Sequence, residues 1–207
     1  MSDFDLIVRG GSVIDGTRAP RFDADVGVRS GRIEAIGDLA SATADEAIDA
    51  SGLIVAPGFI DSHTHDDQAL LSQPDMSFKV SQGVTTVVAG NCGISLTPLL
   101  PDTPLPAPLN LLEASERARF GRLADYFSEL RRTPPAINVA TPVGHSTLRV
   151  RTMADLERPA SAGEIEAMRA LLAQALEDGA LGLSTGTFYP RRPSTPPPRR
   201  SSRWASR

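Results

Sequence analysis

The chain has 207 residues, 41% hydrophobic and 22% charged, which permits one full domain or two small ones with a sizeable core. A formal net charge of −4 gives no global reason to bind nucleic acid or an anionic membrane surface. One cysteine, Cys92, cannot form an intramolecular disulfide. The acidic start Met1–Asp5 has no apolar run behind it, so it does not read as a signal peptide. No stretch approaches the ~18 apolar residues of a membrane span, and a cytoplasmic protein is the expectation.

Residues 1–57 read as short strands. Phe4, Leu6 and Val8 alternate with Asp5, Ile7 and Arg9, Gly10-Gly11 supplies a turn, and Ser12–Gly16 forms a second strand. Asp25–Val28 meets Arg32–Ile36 across Ser30-Gly31, a hairpin signal because glycine accepts positive φ. The expectation is a small antiparallel β unit.

The pattern changes at Leu53. Residues 53–61 are nearly all apolar and end in polar residues, and 85–90, 136–140 and 180–184 repeat that design. Runs of this kind suit buried parallel strands. Helices fall between them. Phe120, Leu123, Phe127 and Leu130 form one helical stripe, closed by Pro134-Pro135. Ile165, Met168, Leu172 and Leu176 form another, with Ser161 and Glu164 as a capping box and Gly179 at the C-cap. Residues 94–110, rich in Pro and Leu, read as a long excursion loop. Alternation of strand and helix predicts an α/β fold with about four βα units, roughly half of a closed eight-stranded barrel.

The chemistry gathers at the strand ends. In Asp61-Ser62-His63-Thr64-His65-Asp66-Asp67, extended backbone sends His63 and His65 the same way. Two imidazoles on one side of a strand end suit a divalent metal, and Asp61, Asp66 and Asp67 could orient an imidazole or hold charge near the ion. Cys92, in Gly90-Asn91-Cys92-Gly93, occupies the corresponding position one βα unit on. Its thiolate could ligate zinc, although a free cysteine is commonly a small buried hydrophobe. His145 reads as a loop or packing residue ahead of a ligand. Lys79, the single lysine beside 20 arginines, reads as a surface residue.

Val55-Ala56-Pro57-Gly58-Phe59-Ile60-Asp61-Ser62-His63-Thr64-His65 resembles the signature of the amidohydrolase superfamily. Residues 83–93, 143–149 and 179–186 resemble its D-aminoacylase branch, the N-acyl-D-amino-acid deacylases. The resemblance implies a small N-terminal β-sandwich portion over residues 1–57 and the first half of a TIM-type barrel over 58–189. It also implies zinc on His63, His65 and Cys92, and hydrolysis of small N-acyl-D-amino acids. Cys92 stands where many relatives carry a carboxylated lysine. Two further ligand histidines and a catalytic aspartate are expected on later strands, beyond the chain end, so no residue here takes the catalytic role. The rival enzyme reading is a cyclic-amide hydrolase related to dihydropyrimidinases.

Residues 190–207 hold six Arg, five Pro and no acid; removing their +6 leaves −10 for residues 1–189. An abrupt run of this kind looks like a shifted reading frame, with a basic interaction tail as the competing reading. As written, the chain is expected to be inactive and to self-associate through faces that a full barrel would cover. The non-enzyme alternative is a half-barrel binding module.

Overall fold

The computed structural model describes residues 2–107, 109–112 and 119–186. The expectations for the basic tail lie outside these residues. The chain divides into two compact units, residues 1–58 and Phe59 onward.

The first unit is a sheet of five strands: β1 (Phe4–Val13), β2 (Phe22–Arg29), β3 (Arg32–Gly37), β4 (Ala44–Asp49) and β5 (Ile54–Val55). Its order is β3-β2-β1-β4, with β5 also on β1. The sheet is mixed, not antiparallel as expected. β2 runs antiparallel to β1 and to β3, whereas β4 and β5 run parallel to β1. Gly10-Gly11 is not a turn either. β1 continues through it with a register shift between Val8 and Gly11, the mark of a β-bulge, and Gly10 takes φ +67°. A Cβ on Gly11 would lie 2.4 Å from Val55 Cγ2, so the close approach of β5 requires glycine there. The Ser30-Gly31 hairpin forms as expected, with φ of +51° and +71°.

The second unit holds a parallel sheet of β6 (Phe59–Asp61), β7 (Val84–Val88) and β8 (Asn138–Ala140), in the order β6-β7-β8. β9 (Val143–Gly144) and β10 (Leu183–Ser184) form a separate parallel pair. Between them lie α1 (Ala69–Ser72), α2 (Ser77–Val80), α3 (Leu123–Arg132), α4 (His145–Thr152) and α5 (Ala162–Glu177). Parallel strands joined by helices make this an α/β fold. Among the described residues no helix is long and apolar enough to cross a membrane.

Two expectations do not hold. The apolar run 53–61 is two strands, broken at Ala56-Pro57-Gly58, and its two halves pair in different units. Phe59 and Ile60 are 64% and 66% exposed, because β6 is the edge of its described sheet. The expected loop is present, with no strand or helix over residues 94–107, and it lies in the interior: Ile94, Leu96, Leu99 and Leu109 are buried in the same cluster as Val87, Leu123 and Val143. His145 opens a helix that was not expected.

The capping box of α5 is present, with Ser161 accepting from the Glu164 N–H and Glu164 accepting from the Ser161 N–H. Gly179 follows the helix with φ +106°. The buried face of α5 carries Met168 and Ala175, while Ile165 and Leu176 from the expected stripe are exposed. On α3 the fully buried aromatic is Tyr126, whose hydroxyl donates to the Asp67 carbonyl at 3.0 Å.

Candidate metal centre

The sheet brings two limbs together. The first is the H-x-H segment that leaves β6. Its backbone is not free: Thr64 N–H donates to the Val88 carbonyl at the end of β7 (3.2 Å), and the His63 N–H donates to Asp61 Oδ1 (3.2 Å). The second limb is the turn Gly90-Asn91-Cys92-Gly93, which leaves β7. Asn91 Nδ2 donates to the carbonyls of Val88 (2.6 Å) and Thr64 (3.3 Å), tying the limbs to each other.

The turn is bent into left-handed backbone. Gly90, Cys92 and Gly93 have φ of +70°, +55° and +79°. For a non-glycine residue such a conformation costs about 1–3 kcal/mol and persists only where the surroundings enforce it. The surroundings do so densely. The Ser184 hydroxyl donates to the Gly90 carbonyl (2.5 Å) and accepts from the Gly93 N–H (3.1 Å). The Gly93 carbonyl accepts from the Ser146 N–H at the start of α4 (2.8 Å). A Cβ on Gly90 would stand 2.5 Å from the Pro142 carbonyl oxygen, and one on Gly144 would stand 2.5 Å from Gly93 backbone. Asp67, buried, accepts from the Gly90 N–H (3.0 Å). Burial pushes its carboxyl up to about 6, against hydrogen bonds from the Gly90, Asp67 and Leu96 backbone that favour the charged form.

The result is a convergence of His63, His65 and Cys92, with one donor atom of each within 4.8 Å of the other two. His63 Nε2 lies 3.1 Å from Cys92 Sγ. The two imidazole rings meet edge to face at 5.9 Å. Burial lowers the His65 pKa, and the neighbouring His63 charge lowers it further while Asp66 opposes. A lowered pKa keeps the imidazole in its ligating form. His145 is not in this group; it is half-buried at the start of α4, with its pKa lowered by burial and by the Arg149 charge.

Lys79 is not the surface residue expected from the sequence. Its ammonium lies 2.6 Å from Asp61 Oδ2, 3.0 Å from Asp66 Oδ2 and 3.4 Å from Thr64 Oγ1, with 18% of the side chain exposed. Burial pulls its pKa down, but the hydrogen bonds it donates to Asp61 and Asp66 outweigh that and raise it. The same bond from Lys79, with the His63 N–H, holds the Asp61 carboxyl below the usual carboxylate range. The available signal was compositional. A lone ammonium in an arginine-rich chain marks a place that needs a compact point charge rather than a planar fork. Asn91 and Ser184 had no such signal, because their roles depend on contacts between segments distant in sequence.

Residues 46–199 match the family model described as amidohydrolase family. The chain is 59% identical to a D-aminoacylase of Alcaligenes xylosoxydans xylosoxydans over 187 residues, 90% of this chain and 38% of the relative. It spans well under half the length of that curated relative. A solved D-aminoacylase structure, described for the functional role of its binuclear metal centre, superposes with a TM-score of 0.86 at 58% identity, covering 91% of this chain and 40% of that one. The N-acyl-D-glutamate deacylase of Bordetella bronchiseptica, solved with zinc and a phosphonate that mimics the tetrahedral intermediate, gives 0.83 at 50% identity, covering 88% and 38%.

Proposed function

This chain belongs to the amidohydrolase family, and from that premise we propose that it supplies the N-terminal metal-binding part of a zinc-dependent hydrolase. The proposed reaction cleaves the amide bond of N-acyl-D-amino acids to a carboxylate and a D-amino acid. The observation that carries this is the convergence of His63, His65 and Cys92 within 4.8 Å. The donor set fits zinc: two imidazoles and a thiol are borderline-to-soft ligands, unlike the all-oxygen sites of magnesium or calcium. His63, His65 and Cys92 would hold the ion, their donor atoms already lying within 4.8 Å of one another. When bound, the metal supplies Lewis acidity to an amide carbonyl and to water.

The protein's own residues give the limbs their shape. Asn91 holds the H-x-H segment against β7, and Ser184 and Asp67 hold the turn that presents Cys92. The carboxylates beside the histidines are already engaged, Asp61 and Asp66 by Lys79 and Asp67 by the Gly90 N–H. None of the three is available as a general base. The 207 residues alone therefore bind metal without turning over substrate.

The finer architecture we propose is a β-sandwich portion over residues 1–57 and the first half of a (β/α) barrel over 58–189. The parallel order β6-β7-β8 and the parallel β9-β10 pair support the barrel reading. Exposed Phe59, Ile60, Phe78, Val80, Leu181 and Leu183 support self-association of the isolated chain.

The test loads the chain with zinc and assays it on N-acyl-D- and N-acyl-L-amino acids. A chimera with the remaining sequence of the Alcaligenes D-aminoacylase is assayed in parallel. The expected result is metal bound by both, no hydrolysis by residues 1–207 alone, and hydrolysis of the D-substrates by the chimera. Zinc-dependent turnover by the 207 residues alone would contradict the assignment of roles. A chimera that hydrolyses only cyclic amides would refute the substrate class.

A further inference from the structure

We infer that Lys79 is a positioning residue that keeps Asp61 and Asp66 out of the metal's donor set, and so sets which class of divalent cation the site accepts. The inference rests on the metal reading of His63, His65 and Cys92.

Asp61, His63 and His65 lie at i, i+2 and i+4. On a straight strand all three side chains would share a face, and Asp61 would be the natural fourth donor, a hard oxygen beside two imidazoles. The structure prevents this in two ways. β6 ends at Asp61, and its Oδ1 accepts the His63 N–H, which bends the chain and spends one carboxylate oxygen on backbone. The other oxygen is held by Lys79 Nζ at 2.6 Å. Asp66, immediately after His65, gives its Oδ2 to the same ammonium at 3.0 Å. Thr64, between the two histidines, contacts it as well, at 3.4 Å. One cation thus gathers the residues on both sides of the pair and the residue between them.

The chemistry of lysine suits that task. Its ammonium is a compact charge with three rotatable donors, enough to serve two carboxylates and a hydroxyl at once. With both carboxylates engaged by one ammonium, the donors left facing Cys92 are imidazole and thiol, which favour zinc over hard cations. Without the ammonium, two carboxylates adjoin the histidines with no counter-charge. A divalent cation then recruits them, coordination number rises, and preference shifts toward oxygen-seeking metals such as manganese.

The experiment measures zinc and manganese affinity by chelator competition and records the visible spectrum of the cobalt-substituted chain. For K79M the zinc-to-manganese affinity ratio falls about tenfold or more, on the scale typical of residues that support metal ligands. The cobalt bands weaken as coordination rises above four. Adding D61N and D66N to K79M restores both the ratio and the spectrum. D61N/D66N with Lys79 intact keeps the wild-type cobalt bands, and this arm can still overturn the inference if K79M fails to fold. An unchanged ratio and spectrum in folded K79M would overturn the inference, as would a changed spectrum in D61N/D66N. A wild-type chain that takes no zinc would instead overturn the metal reading itself.

Discussion

The two limbs of the candidate centre are held by different physics. The H-x-H limb is exposed at both histidines and is fixed from outside, by the Lys79 ion pairs and the backbone tie of Thr64 to Val88. The Gly90–Gly93 limb is buried at both glycines and is fixed by shape: three positive-φ positions out of four, no room for a Cβ at Gly90, and hydrogen bonds with the Ser184 hydroxyl and the Asp67 carboxyl. A histidine pair on a charge-held limb can be altered with little effect on the fold. The cysteine cannot be separated from the packing that aims it.

Gly90→Ala should therefore do the most damage. It places a Cβ 2.5 Å from both the Pro142 carbonyl oxygen and Thr141 Oγ1, at φ +70°. Overpacking and backbone strain together predict a loss of about 2–5 kcal/mol in denaturant unfolding. A loss within about 0.5 kcal/mol would mean the turn is not held by shape.

His63→Ala should separate binding from stability. The side chain is exposed, so the unfolding midpoint should move by no more than about 0.5 kcal/mol. Zinc affinity should fall at least ~100-fold, at or beyond the upper end of what loss of an outer-shell partner costs. A large fall in stability of the metal-free variant would erase the contrast between the limbs.

Ser161→Ala serves as the control remote from both limbs. Losing the capping box should cost about 1 kcal/mol and leave zinc affinity unchanged. Arg158 and the Ser161 N–H depress the Glu164 carboxyl to about 2, below its ordinary 4.5. A depressed carboxyl stabilises the fold above the unfolded value. That contribution is complete above about pH 4.5 and fades as pH falls toward 2. Thermal melts between pH 5 and 2 of wild type and Glu164→Gln should converge at the acid end.

Much of this was legible from local pattern. Alternation and Ser30-Gly31 located β2 and β3, helical spacing located α3, Ser161 and Glu164 marked the start of α5, and H-x-H after an apolar run marked the first limb. What escaped depends on distant partners. Whether Gly10-Gly11 turns or bulges is decided by Val55, which packs over Gly11. Residues 94–110 read as a loop by composition, but composition does not show that Ile94, Leu96 and Leu99 are interior, where the chain packs over β7 and α3. Phe59 and Ile60 look like core residues but lie on a sheet edge. Lys79 acquires its role only when the fold brings it to Asp61 and Asp66.

X-ray absorption at the zinc edge of the zinc-loaded chain tests most directly whether Cys92 and the two histidines form one metal centre. One sulfur scatterer at ~2.3 Å with nitrogen scatterers at ~2.0–2.1 Å is expected, and the sulfur should vanish in Cys92→Ala. A wild-type spectrum fitted by nitrogen and oxygen alone would contradict the claim and leave Cys92 as a packing residue.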